Sequence, residues 1–592
     1  MAGSAVQIGQ DSKTPALGAL VARYPTLAPI VGICVICAAL LLPFIDKPFH
    51  MDDSMFLWTA QQIQKHPLDF YGFDVNWQNY VTPMHVEMKN PPLAAYYIAL
   101  VTAVFGWGEK TLHVAFLLIN MATAVGTFFV ARRFTKHAFL AAVLAIISPV
   151  FLVTATSVMS DMPAQLFWVW SIFAWIYAVD EDKPWLLPIA GLLLAAGALT
   201  KYPNMNVIPL LAAFAAMNRR RLGWQIASLV LPVVILVAYQ FYTKHLYGHG
   251  LMTDAVGYAR GHWISSPNEF IARVMICLAF VGGCMLSGAI FLPLLLSRRA
   301  LAIILAFAAL VAIAAIFVID PNRIYDDEKN MRVGYVVQLG LMAAGGIGLL
   351  WLVIDSLRRS RDRDTIFLAL WVGGTFCFAL FVNWAINGRT ILPMAAGLAI
   401  VVARALERNP VRAHQRLLIA IPILISGAIG VAVANADYAH AVAVRAGVAQ
   451  IASTVPSGPG KLWFMGHWGF QWYMEKLGGT VFDGKTSACK KDDWIVMSLN
   501  NYGLFQMPRN KVEHVDDFAM ATDPWISTSN GVAGSGFYFA GNTLLPFIVS
   551  PAPPETFIVY HVVDSFAQPR DYLPKANEPA TRSARPLNEQ QG

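Results

Sequence analysis

Fourteen apolar stretches punctuate the first 435 residues of this chain, and most are close to 20 residues long. A helix rises about 1.5 Å per residue, so about 20 such residues cross a hydrocarbon core of about 30 Å. A chain built this way folds as a polytopic α-helical membrane protein. Composition agrees: of 592 residues 57% are hydrophobic and 13% charged, against about 25% charged in soluble domains, which excludes a soluble enzyme and a disordered chain. The stretches are Leu27–Ile45, Pro92–Gly106, Thr111–Ala131, Ala138–Thr156, Pro163–Val179, Trp185–Thr200, Pro203–Met217, Leu222–Tyr242, Phe270–Leu296, Ala300–Ile319, Tyr335–Ile354, Thr365–Val382, Thr390–Ala403 and Arg416–Asn435. The first shows no small-x-small cleavage site and reads as a retained span.

Short cytoplasmic connections are rich in Lys and Arg. Here the basic connections are Arg132-Arg133-Lys136, Arg219-Arg220-Arg221, Arg298-Arg299, the run Arg358, Arg359, Arg361, Arg363, and Arg404, Arg408, Arg412, Arg416. They share the inner side only if one early stretch does not cross. Pro92–Gly106 is that stretch: it reaches about 22 Å, opens on two prolines and carries the pair Tyr96-Tyr97, so it is expected to lie flat on the outer surface. The expectation is about 13 transmembrane helices, with the N-terminal 1–26 inside and the C-terminus outside. The net charge of +7 is then a topology signal, and nucleic acid is not a partner. Cys34-x-x-Cys37, within a span, reads as helix packing.

Chemistry is therefore sought on the outer side. The first outer loop, 46–110, opens with His50 and the acidic pair Asp52-Asp53; a second acidic turn is Ser160-Asp161-Met-Pro163. Carboxylates near a bilayer are costly to desolvate and usually face an aqueous cavity or a partner, although each could simply cap a helix. His85, Glu87 and Lys89 precede Asn90-Pro91-Pro92, Lys201 sits in a tight Leu-Thr-Lys-Tyr-Pro turn, and Arg389 opens a span. Lys89, Lys201 and Arg389 suit a lipid-linked phosphate near the outer surface, though such lysines also snorkel to water. The loop Thr243–Glu269, with Arg260 and His262, reads equally as a substrate lid or a connector. The loop Asp320–Gly334 reads as surface ion pairs.

The order of the Asp52-Asp53 pair, Asn90-Pro91-Pro92-Leu93 with Tyr96, Ser160-Asp161-Met-Pro163, Leu199-Thr200-Lys201-Tyr202 and Arg389-Thr-Ile-Leu-Pro393 resembles the membrane glycosyltransferases that use polyprenyl-phosphate sugars. That group, of the GT-C fold, contains the protein O-mannosyltransferases and the lipid A aminoarabinose transferase. The resemblance covers about the first 435 residues. Two departures stand out: many relatives have Asp-Glu where this chain has Asp52-Asp53, and often His or Lys where it has Asn90. The resemblance implies an inverting transfer from a polyprenyl-phosphate sugar to a lipid, protein or glycan acceptor at the outer face of a bacterial inner membrane. In that reading Asp52 is the general base, Asp53 and Asp161 orient the acceptor or sugar, and Lys89, Lys201 and Arg389 bind the phosphate. No metal is required, although His50, His85, Glu87 and the acidic pair could ligate zinc or magnesium; Arg260 and His262 are further candidate substrate contacts. A lipid-linked sugar transporter is the competing class, for which polar residues should interrupt the middle of spans.

Past Asn435 the chain becomes polar and glycine-rich, with β-like runs at Lys461–Met465, Trp494–Ser498 and Thr556–Val562 and a strand-turn-helix pattern at Leu462–Lys476. With an opening helix near Ala439–Val455, this predicts a small extracytoplasmic α/β domain over 436–566, after a transmembrane catalytic domain over 27–435. The tail 567–592 is predicted to be disordered.

Overall fold

The computed structural model describes residues 26–218, 222–261, 266–319, 324–325, 329–409, 417–456, 458–539 and 545–567. All but the last residue of the N-terminal 1–26, the basic cluster at Arg219–Arg221, His262, every charged residue of 320–328, Arg412, Arg416 and all but the first residue of the tail lie outside them.

Among the described residues, ten helices are long and apolar enough to cross a membrane, from Leu27–Phe44 to Leu417–Thr454. An eleventh is broken: Ala138–Ile146 and Pro149–Ala155 meet at 61°. The break has a local cause. The Ser148 hydroxyl accepts the Phe151 N–H at 3.3 Å and Pro149 occupies the first helical position, so a new helix starts there. The remaining two expected crossings, Leu186–Thr200 and Val207–Met217, have 15 and 11 residues and reach only about 22 and 16 Å. Thirteen expected spans thus become ten full-length helices, one broken helix and a short hairpin. Leu93–Phe105, at 13 residues, is also too short to cross.

Small residues permit the closest helix crossing. A Cβ on Gly282 would stand 1.8 Å from the Met342 carbonyl oxygen, and one on Gly346 would stand 2.0 Å from that of Leu278. Helices Pro267–Cys284 and Val333–Arg359 therefore touch backbone to backbone, as glycine allows in lipid, where association rests on packing.

The basic connections that are described gather at one end of the bundle. Arg133 pairs with Asp180 and, at 2.7 Å, with Asp364; Arg363 reaches Asp180 at 3.2 Å, and the Thr135 hydroxyl and Lys136 N–H donate to Glu407. The opposite end carries the first loop and the strand-rich region. The first loop folds into helix Asp53–Lys65, a hairpin pairing Asp74–Asn76 with Val81–Pro83, and helix Leu93–Phe105.

The strand-rich region centres on a five-stranded mixed sheet. Its strands are β1 (Leu462–Met465), β2 (Thr480–Val481), β3 (Trp494–Ser498), β4 (Val512–Met520) and β5 (Glu555–Val562), in the order β2-β1-β3-β5-β4. β1 runs parallel to β2 and β3, whereas β5 is antiparallel to β3 and β4. The strand-turn-helix expected at Leu462–Lys476 is β1 followed by helix Trp468–Lys476. The helix expected to open this region is not separate: the last span continues through it as one 38-residue helix, Leu417–Thr454. Glycines hold that helix close at two levels. A Cβ on Gly430 would meet the Ile147 carbonyl oxygen at 2.6 Å, beside the helix break, and one on Gly447 would meet the Phe557 ring at 2.2 Å.

The Gly346 crossing predicts that Gly346→Val costs about 3 kcal/mol or more, since the opposing atom is backbone and cannot rotate away. Thermal unfolding in detergent should register a melting temperature well below that of the wild type; an unchanged value would contradict this packing.

Candidate active site

The acidic pair in the first loop divides its work. Met51 adopts a left-handed backbone, φ 45°, and turns the chain into helix Asp53–Lys65. Asp52 sits at the N-cap, but its side chain caps nothing. It accepts instead from Arg389 Nη1 at 2.8 Å, and a third of it remains exposed. Asp53 is buried, at 1% exposure. Its two oxygens accept the His50 and Val158 N–H groups, each at 2.8 Å. Burial pushes the Asp53 carboxyl up to about 7, against the opposing pull of those amides and of Lys47.

Val158 opens the second acidic turn, so Asp53 fastens the two carboxylate-bearing segments together. Asp161 begins helix Asp161–Asp180, yet it is not a cap in isolation: Lys201, which terminates helix Leu186–Thr200, donates to its Oδ1. Arg389 also lies against this turn, with Nη1 3.3 Å from the Met159 sulfur. Two acid–base pairs, Asp52–Arg389 and Asp161–Lys201, thus share one site, linked by the 158–161 turn.

Arg389 is aimed by its own loop. Arg273 donates to the carbonyls of Leu380, Asn383 and Trp384, fixing the turn before it. The Asn387 side chain caps the short helix Gly388–Ile391 by accepting the Thr390 N–H at 2.8 Å. Gly388 donates to the Phe537 carbonyl at 2.8 Å, and a Cβ there would stand 2.6 Å from the Phe537 ring. Only glycine lets these two loops close, which sets Arg389 Nη2 3.2 Å from the Tyr538 carbonyl.

Lys89 donates to the Val86 carbonyl, and its ammonium lies 5.3 Å from the centre of the Tyr258 ring. No carboxylate lies within ion-pair distance of it among the described residues, and burial holds its pKa below the usual lysine value. Its neighbour Glu87 accepts from Thr82 at 2.9 Å. Tyr502 lies nearby and donates its hydroxyl to the Trp77 carbonyl at 2.9 Å; burial, with the charges of Asp52 and Glu87, holds its pKa well above the ordinary range.

The other predicted contacts are dispersed. His85 Nδ1 meets His249 Nε2 at 2.8 Å, and His249 in turn meets Asp254, so these groups join the first loop to helix Leu251–Gly261. Arg260 is exposed on that helix, and His262 lies outside the described residues. The expected loop Thr243–Glu269 is therefore partly helical. His50 is buried beside His440, ring centres 4.7 Å apart, and burial holds its pKa well below the usual value. Among the described residues, no three His, Cys, Asp or Glu groups converge as metal ligands.

Beneath the site lies an ion pair that was not singled out as functional from the sequence. Lys47 and Asp437 are both fully buried and bonded to each other. Lys47 also donates to the Thr156 hydroxyl at 3.2 Å, and its carbonyl faces His113 Nε2 at 2.9 Å. Asp437 accepts from the Thr528 hydroxyl at 3.1 Å and the Tyr538 hydroxyl at 2.7 Å. Next to it His440 pairs with Glu555 at 2.9 Å. The available signal was a lone carboxylate near the end of the last apolar run.

Residues 89–242 match the model of the family described as dolichyl-phosphate-mannose-protein mannosyltransferase, which bears out the resemblance read from the motifs. An uncharacterized protein of Aquifex aeolicus is 26% identical over 136 residues, 22% of this chain and 27% of that relative, so the likeness spans about a quarter of its length. Among solved structures, the oligosaccharyltransferase of Archaeoglobus fulgidus is similar over 81% of this chain and 70% of its own, at 13% identity and a TM-score of 0.49. ArnT from Cupriavidus metallidurans, bound to undecaprenyl phosphate, is similar over 82% of this chain and 93% of its own, at 14% identity and a TM-score of 0.43.

Two outcomes follow from this geometry. Lys47→Met leaves the Asp437 carboxylate buried without its countercharge and should cost about 3–5 kcal/mol, most of it regained in Lys47→Met/Asp437→Leu; melting temperatures of the three proteins check this. Asp53 binds its proton more tightly folded than unfolded, so its contribution is fully present below about pH 4 and is lost as pH rises toward 7. Melting temperatures over that range should fall for the wild type relative to Asp53→Asn, and parallel curves would contradict the assignment.

Proposed function

We propose that the chain is an inverting glycosyltransferase that moves a sugar from a polyprenyl-phosphate donor to an acceptor hydroxyl at the outer face of the membrane. The observation that carries this reading is the Asp52–Arg389 pair, one-third open on its acidic side and adjoining a second pair, Asp161–Lys201. The matched family, described as dolichyl-phosphate-mannose-protein mannosyltransferase, supports a lipid-phosphate sugar as donor, and a carboxylate beside cations is what such a transfer needs.

An acceptor hydroxyl is too weak an acid to lose its proton unaided at neutral pH. Asp52 takes that proton as the new bond forms at the anomeric carbon, from the face opposite the phosphate. The bond from that carbon to the phosphate oxygen breaks, and its electron pair leaves with the polyprenyl phosphate. Arg389 and Lys201, with Lys89 at the rim, hold the growing negative charge where water is scarce. Asp53 suits this base role less well, because both its oxygens already accept backbone N–H groups; it orients the 50–53 and 158–161 segments. Asp161 holds Lys201 in place.

In this reading the basic end of the bundle faces the cytoplasm of a bacterial inner membrane. The region after 436 then lies outside, over a transmembrane catalytic domain, and the acceptor is a lipid, protein or glycan that reaches the outer surface. The first-loop segment with His85 and Glu87 and the helix that carries Tyr258 and Arg260 flank Lys89.

Purified protein in detergent, given a polyprenyl-phosphate sugar and an acceptor, should release free polyprenyl phosphate. Asp52→Asn should lower kcat by about 10²-fold or more, and Lys89→Gln should raise donor KM by about tenfold with a smaller effect on kcat. Full turnover by Asp52→Asn would remove it as the base. Movement of intact donor across vesicles without bond cleavage would replace this reading by transport.

A further inference from the structure

The network beneath the site reaches upward through one residue. Tyr538 holds the Arg389 guanidinium in two ways: its carbonyl accepts from Nη2 at 3.2 Å, and its ring centre lies 5.6 Å from the guanidinium carbon. Its hydroxyl points the other way, donating to Asp437 at 2.7 Å and lying 3.1 Å from the Ser157 hydroxyl. Tyr538 is 4% exposed and Asp437 0%, so neither contacts bulk solvent. The segments meeting here are the same ones that bear the site: Lys47 lies six residues before Asp53, and Thr156 and Ser157 precede the 158–161 turn.

We infer that Tyr538 and Asp437 are positioning residues for transfer: Asp437 anchors the Tyr538 hydroxyl, and the anchored tyrosine fixes the angle at which Arg389 meets Asp52 and the leaving phosphate. This rests on the glycosyltransferase reading. Arg389 has a long, rotatable side chain, and a guanidinium delivers two parallel hydrogen bonds only when its plane is held. The tyrosine ring and carbonyl border that plane, and the hydroxyl bond tethers the far end of the ring so that the side chain does not swing away from the guanidinium. Thr528 provides an internal control. Its hydroxyl bonds the other Asp437 oxygen at 3.1 Å, at equal depth, but it bonds neither Tyr538 nor Arg389, and the bond its backbone carbonyl accepts from the Phe537 N–H at 2.8 Å is untouched by a side-chain change.

A double-mutant cycle in the full-length protein, assayed with a polyprenyl-phosphate sugar, separates positioning from stability. Tyr538→Phe should lower kcat about tenfold while leaving donor KM within about twofold. Arg389→Lys should lower kcat strongly, and adding Tyr538→Phe to it should cost little more, because the tyrosine then has no guanidinium to orient. Thr528→Val should lower the melting temperature by a similar amount to Tyr538→Phe yet leave kcat unchanged. Additive losses in the cycle, kcat for Tyr538→Phe within twofold of wild type, or equal kcat losses for Thr528→Val and Tyr538→Phe would each overturn the inference. A wild-type protein that never cleaves the donor would instead remove the glycosyltransferase reading itself.

Discussion

The Lys47–Asp437 ion pair is the constraint on which the geometry of the candidate site depends. Neither group is exposed, and in so poorly polarisable a setting each charge is tolerable only beside the other and with its remaining hydrogen-bonding capacity used. That capacity is used by residues from distant parts of the chain: Thr156, Thr528 and Tyr538. The pair therefore costs desolvation, and what it supplies in return is registry. A hydrophobic contact can slide, whereas a buried charge has one place to be. The first loop, the broken helix, the last span and the strand-rich region are all located relative to that point.

Above this anchor the site is close to electrical balance. Asp52 is matched by Arg389 and Asp161 by Lys201, so a dianionic or monoanionic ligand entering here must take partners away from carboxylates already holding them. An arrangement of this kind keeps the cations aimed but sets a cost on releasing them from their carboxylates. It also disfavours binding of stray anions, since only a ligand with enough further contact can displace the resident carboxylates. Lys89 differs in having a carbonyl and a ring face as its neighbours, which leaves its charge less fully matched.

Much of the architecture was legible because its signals are local. Apolar runs near 20 residues gave the spans, and β1, β3 and β5 coincide with β-branched and aromatic runs; the break at Ser148-Pro149 was not read, because the run Ala138–Thr156 is apolar on both sides of it. β4 was not legible: Val-Glu-His-Val-Asp-Asp-Phe-Ala-Met has the charge of an exposed edge strand, and its pairing with β5 is a tertiary fact. Within the site, Asp52, Asp161, Lys201 and Arg389 were recognisable as polar residues at span ends, and the structure does bring them together. Their division into pairs was not, since a capping carboxylate and an ion-paired one look alike in sequence. Lys47 and Asp437 stand 390 residues apart, and the unbroken apolar run stops at Asn435, which puts Asp437 just outside it although it belongs to the same helix.

That helix, Leu417–Thr454, has a mechanical implication. At 38 residues it is about 57 Å long, nearly twice the hydrocarbon thickness of about 30 Å, and it has no hinge between its bilayer portion and the part that carries the sheet. Gly430 seats it against the broken helix and Gly447 against β5, so it behaves as a mast stepped in the bundle and stayed at two heights. Because β5 packs directly on Gly447, the strand-rich region is seated on this helix as well as joined to it. If it tilts, the mast tilts, and the movement is felt among the transmembrane helices beside Ile147, which makes the membrane portion and the exposed portion a single lever.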